Sequence, residues 1–437
     1  MTSPRERRVL TAVLSIIAVA GCGGSDGANA GNNGIAPPDG ANVVPIVVDS
    51  GPRGANGAPV GYVNGAFVTI TVCIPGTANC QAIDHVLVDT GSSGLRLLAN
   101  DGRAGGELSL QLPPLQDVGK NAVAECFQFV DGFTWGQVQL ADVRVGGEMA
   151  SGIAIQVIGE AAYPVPGQCL GVGNDEDTLE GASGLLANGI LGVGLFVQDC
   201  GPACATDPAV AGSGNPGLYF ACSSSASGGC VETSLPTTAQ VSNPVSRFDT
   251  DDNGVIVELP PVLAAGAATA SGSLVFGIGT RSNNGLGNAV VIPVDDRGTF
   301  TTLFPGQGTR YPVSFIDSGS NGIYFLSSAV TGIPTCTGGS GIDSFYCPPS
   351  PLTLSAANQG AAGTPTVPVT FSIANAKALF DSNGAAFSNL GGQSVGSSST
   401  HLPAAFDWGL PFFFGRNVFT AIEGAATPGG AGPYVAY

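Results

Sequence analysis

The chain has 437 residues, of which 11% are charged, and its 32 acidic against 14 basic residues give a formal net charge of −18. With Lys120 and Lys377 as its only lysines and no basic cluster, it is not built to bind nucleic acid. The 67 glycines, 31 prolines and 43% hydrophobic residues describe a large core interrupted by frequent turns, which suits strands better than long helices.

The first element is an export signal. Arg5, Arg7 and Arg8 precede an apolar run from Val9 to Ala20, and Val19-Ala20-Gly21-Cys22 ends it on small residues and a cysteine. The run is too short to span a bilayer comfortably, and its ending resembles a lipobox in which Cys22 is lipidated and becomes the mature N-terminus. Residues 1–21 are therefore excluded from the fold. Residues 22–42 read as a flexible tether of Gly, Asn, Ser, Ala and Pro. Gly23 after the cysteine is not a retention signal of the aspartate type, so the expected address is the outer membrane.

Folding is expected to begin near Asn42-Val43-Val44-Pro45-Ile46-Val47-Val48. Short β-branched runs then recur between turns: Phe67 to Val72, His85 to Val88, Val138 to Val145, Ile153 to Ile158, Gly254 to Leu259 and Ser273 to Ile278. The best helix candidate, Ile373 to Phe380, is short. An internal repeat sets the architecture: Val88-Asp89-Thr90-Gly91-Ser92-Ser93-Gly94-Leu95 returns as Ile316-Asp317-Ser318-Gly319-Ser320-Asn321-Gly322-Ile323. Each copy follows an apolar strand, and each has a later apolar-apolar-Gly partner at a similar offset, Ile190-Leu191-Gly192 and Phe413-Phe414-Gly415. Two homologous lobes account for this pattern, with residues 43–217 in the first and 218–437 in the second.

Without Cys22 the cysteines are even in number, which in an exported chain suggests disulfides. Proximity groups Cys73 with Cys80, Cys200 with Cys204, Cys222 with Cys230 and Cys336 with Cys347, leaving Cys126 for Cys169; sequence alone does not fix the connectivity. The absence of a CxxC repeat and the presence of only two histidines argue against zinc, and no metal is expected.

The repeat carries a chemistry. Hydrolysing an amide without a metal or a covalent intermediate requires one group to activate water and another to protonate the leaving amine. Two carboxylates sharing one proton supply both, because like charges about 3 Å apart do not both ionise easily. A glycine two residues after each aspartate, Gly91 or Gly319, lets the backbone approach its mate, and Thr90 or Ser318 offers a hydroxyl to hold the turn. Ser92 and Ser320 are placed to orient the outer carboxylate oxygens.

These features resemble the pepsin-type aspartic peptidases, which carry one D-[ST]-G-[ST] loop per lobe, each threaded by a later apolar-apolar-Gly segment. The resemblance runs from about Val44 to the C-terminus and suggests a bacterial lipoprotein branch. It implies an all-β, two-lobed pepsin-like fold with a cleft between the lobes and Asp89 and Asp317 as the catalytic pair. It also implies a β-hairpin flap ending at Val143-Arg144-Val145-Gly146-Gly147, with Gly132 and Gly136 on flap glycine positions. The usual flap tyrosine is then Phe129, and the tryptophan that accompanies it is replaced by Arg96. Phe133 or Trp135 is expected to substitute for the lost contact. Gly94 and Gly322 also depart from the parent pattern, which has a larger residue there.

Other readings fail on particular residues. Asp249 to Gly254 imitates an EF-hand start, but Pro260 stands where a bidentate glutamate is needed. Asp175-Glu176-Asp177 with Glu180 reads as a solvated loop. His85 and His401 come without a G-x-S-x-G elbow, and Gly189 to Gly194 lacks the lysine or acidic partner of a nucleotide loop. Two functions remain. The first is an acid-dyad endopeptidase, a monomer held to the membrane only through its lipid, acting on extended peptides or proteins without a cofactor. The second is a catalytically inactive peptide-binding or scaffolding lipoprotein. Binding alone does not require both aspartates, both glycines and both serines, which favours the enzyme.

Overall fold

Strand β1, Val43–Asp49, alternates buried and more open positions along a β-branched run, so one of its faces belongs to the core and the strand is fixed in register by that face. The computed structural model describes residues 40–100, 107–130, 132–159, 163–170, 174–175, 184–223, 229–305, 309–338, 341–394 and 405–437. Cys22, His401, the acidic residues 176–180, the expected signal and most of the expected tether lie outside these.

In the first half β1 is followed by β2 (Gly65–Cys73), β3 (Cys80–Asp89), β4 (Ser93–Leu98), β5 (Ala122–Gln128), β6 (Gly132–Val145), β7 (Glu148–Ile158), β8 (Asn174–Asp175), β9 (Gly189–Val193), β10 (Tyr219–Cys222) and β11 (Cys230–Glu232). Strands β2, β3, β9, β4, β7 and β6 pair in that order, and β6 returns to β2, closing a ring with no free edge. All side chains of β4 and β9 are buried, as expected of strands covered on both faces. Tyr219–Cys222 lies beyond the boundary expected at residues 217/218, yet it hydrogen-bonds to Ala122–Glu125 of β5, in the first half's sheet.

The second half contains β12 (Gly254–Leu259), β13 (Ala270–Phe276), β14 (Val291–Pro293), β15 (Phe300–Phe304), β16 (Thr309–Ile316), β17 (Ile323–Phe325), α1 (Ser328–Thr331), β18 (Leu352–Gln359), β19 (Thr366–Ile373), α2 (Ala376–Phe380), β20 (Gly391–Gln393), β21 (Asp407–Trp408), β22 (Arg416–Ala421), β23 (Ala426–Thr427), β24 (Gly430–Ala431) and β25 (Tyr434–Ala436). Its own sheet runs β19-β18-β15-β16-β21-β17-β20. Between the halves, β1 pairs with β2 on one side and β13 on the other, and the sheet continues through β12, β22, β25 and β14. The result is the two-lobed, almost entirely β architecture that the repeat implied.

The helix expected over Ile373 to Phe380 is shorter. Ile373 closes β19 opposite Leu352, and the Asn375 side chain accepts from the Ala378 N–H, so the helix starts only at Ala376. The second lobe's core is aromatic: Phe325 stacks on Phe406 at 5.1 Å and Phe406 on Trp408 at 5.4 Å, with Trp408 fully buried and its Nε1–H donating to Thr302 Oγ1 at 3.2 Å.

Five disulfides form: Cys73–Cys80, Cys126–Cys169, Cys200–Cys204, Cys222–Cys230 and Cys336–Cys347. They are the pairs that proximity suggested, and they suit an extracellular or periplasmic location. Among the described residues no helix is long and apolar enough to cross a membrane. Cys126 and Cys169 are separated by 43 positions in sequence and Cys200 and Cys204 by only 4. Replacing both cysteines of the long loop by alanine is therefore expected to lower stability by about 4 kcal/mol, against about 2 kcal/mol for the short one. Urea unfolding of the two variants tests this, and equal losses would contradict the loop-closure account.

Candidate active site

Each Asp loop is made by the same three strands. In the first lobe β3 runs parallel to β9, with Val88 beside Leu191 and Asp89 beside Gly192, and the chain leaves along β4, antiparallel to β9 with Leu95 beside Leu191. In the second lobe β16 runs parallel to β21, with Ile316 beside Trp408, and leaves along β17 with Ile323 beside Trp408. The Asp317 N–H donates to the Trp408 carbonyl at 3.1 Å.

This register corrects one expectation. The threading segment of the second lobe is Asp407-Trp408-Gly409, and Phe413-Phe414-Gly415 is not part of it. A Cβ on Gly409 would fall 2.1 Å from the Gly322 carbonyl oxygen, so only hydrogen fits between the loop's two limbs. At Gly415 the nearest atom would be 3.4 Å away, and that glycine, at φ +77°, turns the chain into β22. The three phenylalanines before Gly415 imitated the pattern, while the true thread has an aspartate where the first lobe has Ile190.

The two loops meet. A Cβ on Gly91 would lie 2.7 Å from Cγ of Asp317, and one on Gly319 would lie 3.0 Å from Cγ of Asp89. Each glycine is therefore the floor on which the opposite carboxyl rests. The loops also exchange hydrogen bonds: the Thr90 N–H donates to Ser318 Oγ at 3.1 Å, and the Ser318 N–H donates to Thr90 Oγ1 at 2.9 Å. Ser318 Oγ in turn donates to the Val88 carbonyl at 2.7 Å. Thr90 and Ser318 are buried, so these bonds form away from competing water.

The carboxyls are held unequally. Asp89 Oδ1 accepts from the N–H groups of Gly91 at 2.7 Å and Ser92 at 3.1 Å, and Oδ2 accepts from Ser92 Oγ at 2.5 Å. Asp317 Oδ1 accepts from the Gly319 N–H at 2.7 Å, and Oδ2 lies 3.0 Å from Ser320 Oγ. Burial, the negative charges of Asp89 and Asp407, and a hydrogen bond with Asp89 push Asp317 well above the usual carboxylate range; the Gly319 N–H opposes them. Asp407 had no role in the sequence reading. The signal that could have found it is its place directly before Trp408-Gly409, once that pair is recognised as the thread.

The hairpin of β5 and β6 occupies the expected flap segment. Gln128 pairs with Phe133, and the Phe129 N–H donates to the Gly132 carbonyl at 2.7 Å, closing the tip. Phe129 is half-buried against the cluster that contains Phe67, Leu98, Ile158 and Ile190. Neither Phe133 nor Trp135 takes over the contact of the missing tryptophan. Both are buried with Cys126, Cys169 and Phe220, and the Trp135 Nε1–H donates to the Tyr163 carbonyl at 3.1 Å. The flap strand is instead reached by Arg96, whose guanidinium lies 3.5 Å from the Phe127 ring centre. Arg96 Nη2 also sits 3.0 Å from both Glu125 and Asp199, all three side chains being fully buried. Tyr219 Oη completes the group by donating to Asp199 at 2.7 Å.

His85 is no general base. It bridges Asp49 at 3.3 Å and Asp84 at 3.1 Å, and these bonds, Asp49 first, push it up to about 9, so it is a cation at neutral pH.

The chain is similar to a solved aspartic proteinase from Irpex lacteus, at 14% identity over 90% of this chain and 96% of that one, with a TM-score of 0.49. No curated protein matches it. Residues 38–437, with the whole of both lobes, match the family described as Protein of unknown function (DUF3443), and the chain belongs to that family.

Proposed function

We propose that the protein is an aspartic endopeptidase that hydrolyses peptide bonds with Asp89 and Asp317. The observation that carries this reading is the mutual seating of the two loops, each glycine bearing the opposite carboxyl and each hydroxyl bonding the opposite backbone. A peptide-binding protein needs a groove; it does not need two carboxyls brought together and one of them raised well above the usual carboxylate range. In the proposed reaction Asp317 keeps the shared proton and polarises the scissile carbonyl, while Asp89, oriented by three donors, accepts a proton from the attacking water. The pair then delivers a proton to the leaving amine, and no cofactor takes part. The β5–β6 hairpin is proposed to close over an extended peptide, with Phe129 at its tip. Export through residues 1–21, a lipid on Cys22, attachment to the outer membrane and a monomeric state complete the proposal.

One specific feature supports the second reading. Phe129 and Arg96 replace the hydrogen-bonding pair expected between flap and lobe, so the hairpin lacks its usual hydroxyl. The test uses soluble protein lacking residues 1–40 and a diverse peptide pool between about pH 3 and pH 7. Cleavage with a bell-shaped pH profile is the expected result. Peptides that are retained but emerge intact at every pH would make this a binding protein.

A further inference from the structure

We propose that Asp407 is the third carboxyl of the site, a positioning residue that shares a proton with the Asp89–Asp317 pair through the hydroxyl of Ser320. The inference rests on reading Asp89 and Asp317 as the working pair. Ser320 Oγ lies 3.0 Å from Asp317 Oδ2 and 2.6 Å from Asp407 Oδ2, between two carboxyl groups. A hydroxyl has one hydrogen to give. If it points at Asp407, Asp317 must carry a proton to bond back to the serine oxygen; if it points at Asp317, Asp407 must.

Asp317 to Ser320 and Ser320 to Asp407 are two contacts, each needing one hydrogen, and a proton shared between Asp89 and Asp317 is a third. Ser320 supplies one, so two of the three carboxyls are protonated and the group carries a single negative charge. An ordinary pair would hold one proton on two carboxyls. The first lobe has no such relay: Ser92 bonds Asp89, and the position equivalent to Asp407 is Ile190, beside Leu87 and Arg96 as Asp407 is beside Phe315 and Tyr324.

Asp407 is buried and faces Asp317 through Ser320, with Asp89 beyond it. On β17 the titratable group opposite it is Tyr324, whose hydroxyl donates to Asn321 Oδ1. On β16 the residue beside it is the apolar Phe315. The charge of Asp407 is among the causes that raise Asp317. Its presence therefore keeps the pair singly protonated to higher pH than two carboxyls alone would be, and moves the basic limb of the activity profile upward.

Asp407→Asn and Asp407→Ile test this. Asparagine can donate to Ser320 and turn the hydroxyl toward Asp317, and isoleucine restores the side chain of the other lobe. Both are expected to move the basic limb of the cleavage profile down by about one pH unit. In carboxyl-carbon NMR of aspartate-labelled protein at mildly acidic pH, both should reduce the number of protonated aspartates by one. The NMR count does not depend on turnover. A wild type that cuts nothing but loses one protonated carboxyl on substitution would remove the peptidase reading and leave the shared proton standing. An unchanged count in both folded variants, with an unmoved basic limb wherever cleavage is measurable, would overturn the proposal. If asparagine perturbs folding, the isoleucine variant decides.

Discussion

Asp89→Asn and Asp317→Asn are each expected to lower kcat for peptide cleavage by about ten-thousandfold while leaving the fold intact. The fold should survive because asparagine keeps the accepting oxygen. At position 89 that oxygen still receives the N–H groups of Gly91 and Ser92, and the new amide can donate to Ser92 Oγ. At position 317 the oxygen still receives the Gly319 N–H, and the amide donates to Ser320. What disappears is the proton exchange: one carboxyl cannot act as base and acid within a turnover. The double variant should be no slower than either single one, since groups that act as a unit are not additive. Steady-state cleavage of the best peptide from the pool measures all three. Activity that persists in both single variants would place the chemistry elsewhere.

The second large effect is on stability. Arg96→Met is expected to destabilise the protein by about 3–5 kcal/mol at pH 7, because Glu125 and Asp199 would remain buried without their cation. Lysine should restore only part of this, as one ammonium cannot span two carboxylates and stack on Phe127. The pH dependence has a definite sign. Burial first, then the charge of Glu125, holds Asp199 well above the usual carboxylate range. The folded state thus binds a proton that the unfolded state releases near its ordinary value, and this group's contribution is fully present below that value and declines as pH rises toward the raised one. Without Arg96 the decline should steepen, so the variant should recover part of its stability at about pH 5. Urea unfolding at the two pH values measures it; a loss equal at both would mean that the cavity, and not the stranded charge, dominates.

The repeat around Asp89 and Asp317 was legible because a tight loop between two buried strands admits few side chains, so its residues leave a strong local signature. Cysteine pairing was legible for a related reason, as four of the five bridges close short loops. Features made by distant segments left no such mark. Asp407 reaches the site through a parallel register with β16, and a run of phenylalanines a few residues later resembled the expected thread more closely than the true one did. Arg96 read as a missing tryptophan; its partners Glu125, Asp199 and Tyr219 come from three separate stretches, and no local pattern joins them. Charge in a core is visible only once the strands that enclose it are paired.

Strand β1 has a consequence for how such a chain acquires its shape. It is the first strand of the described chain, yet its outer edge is covered by β13, with Val43 opposite Val275. A polypeptide threaded across a membrane from its N-terminus would present β1 long before that partner emerges. Until then the edge is an open template for another chain, and the late pairing makes for slow assembly. An isolated first lobe would keep the exposure permanently and should associate with itself along β1, which makes the second lobe, besides its share of the carboxyls, the cap that keeps the first one from aggregating.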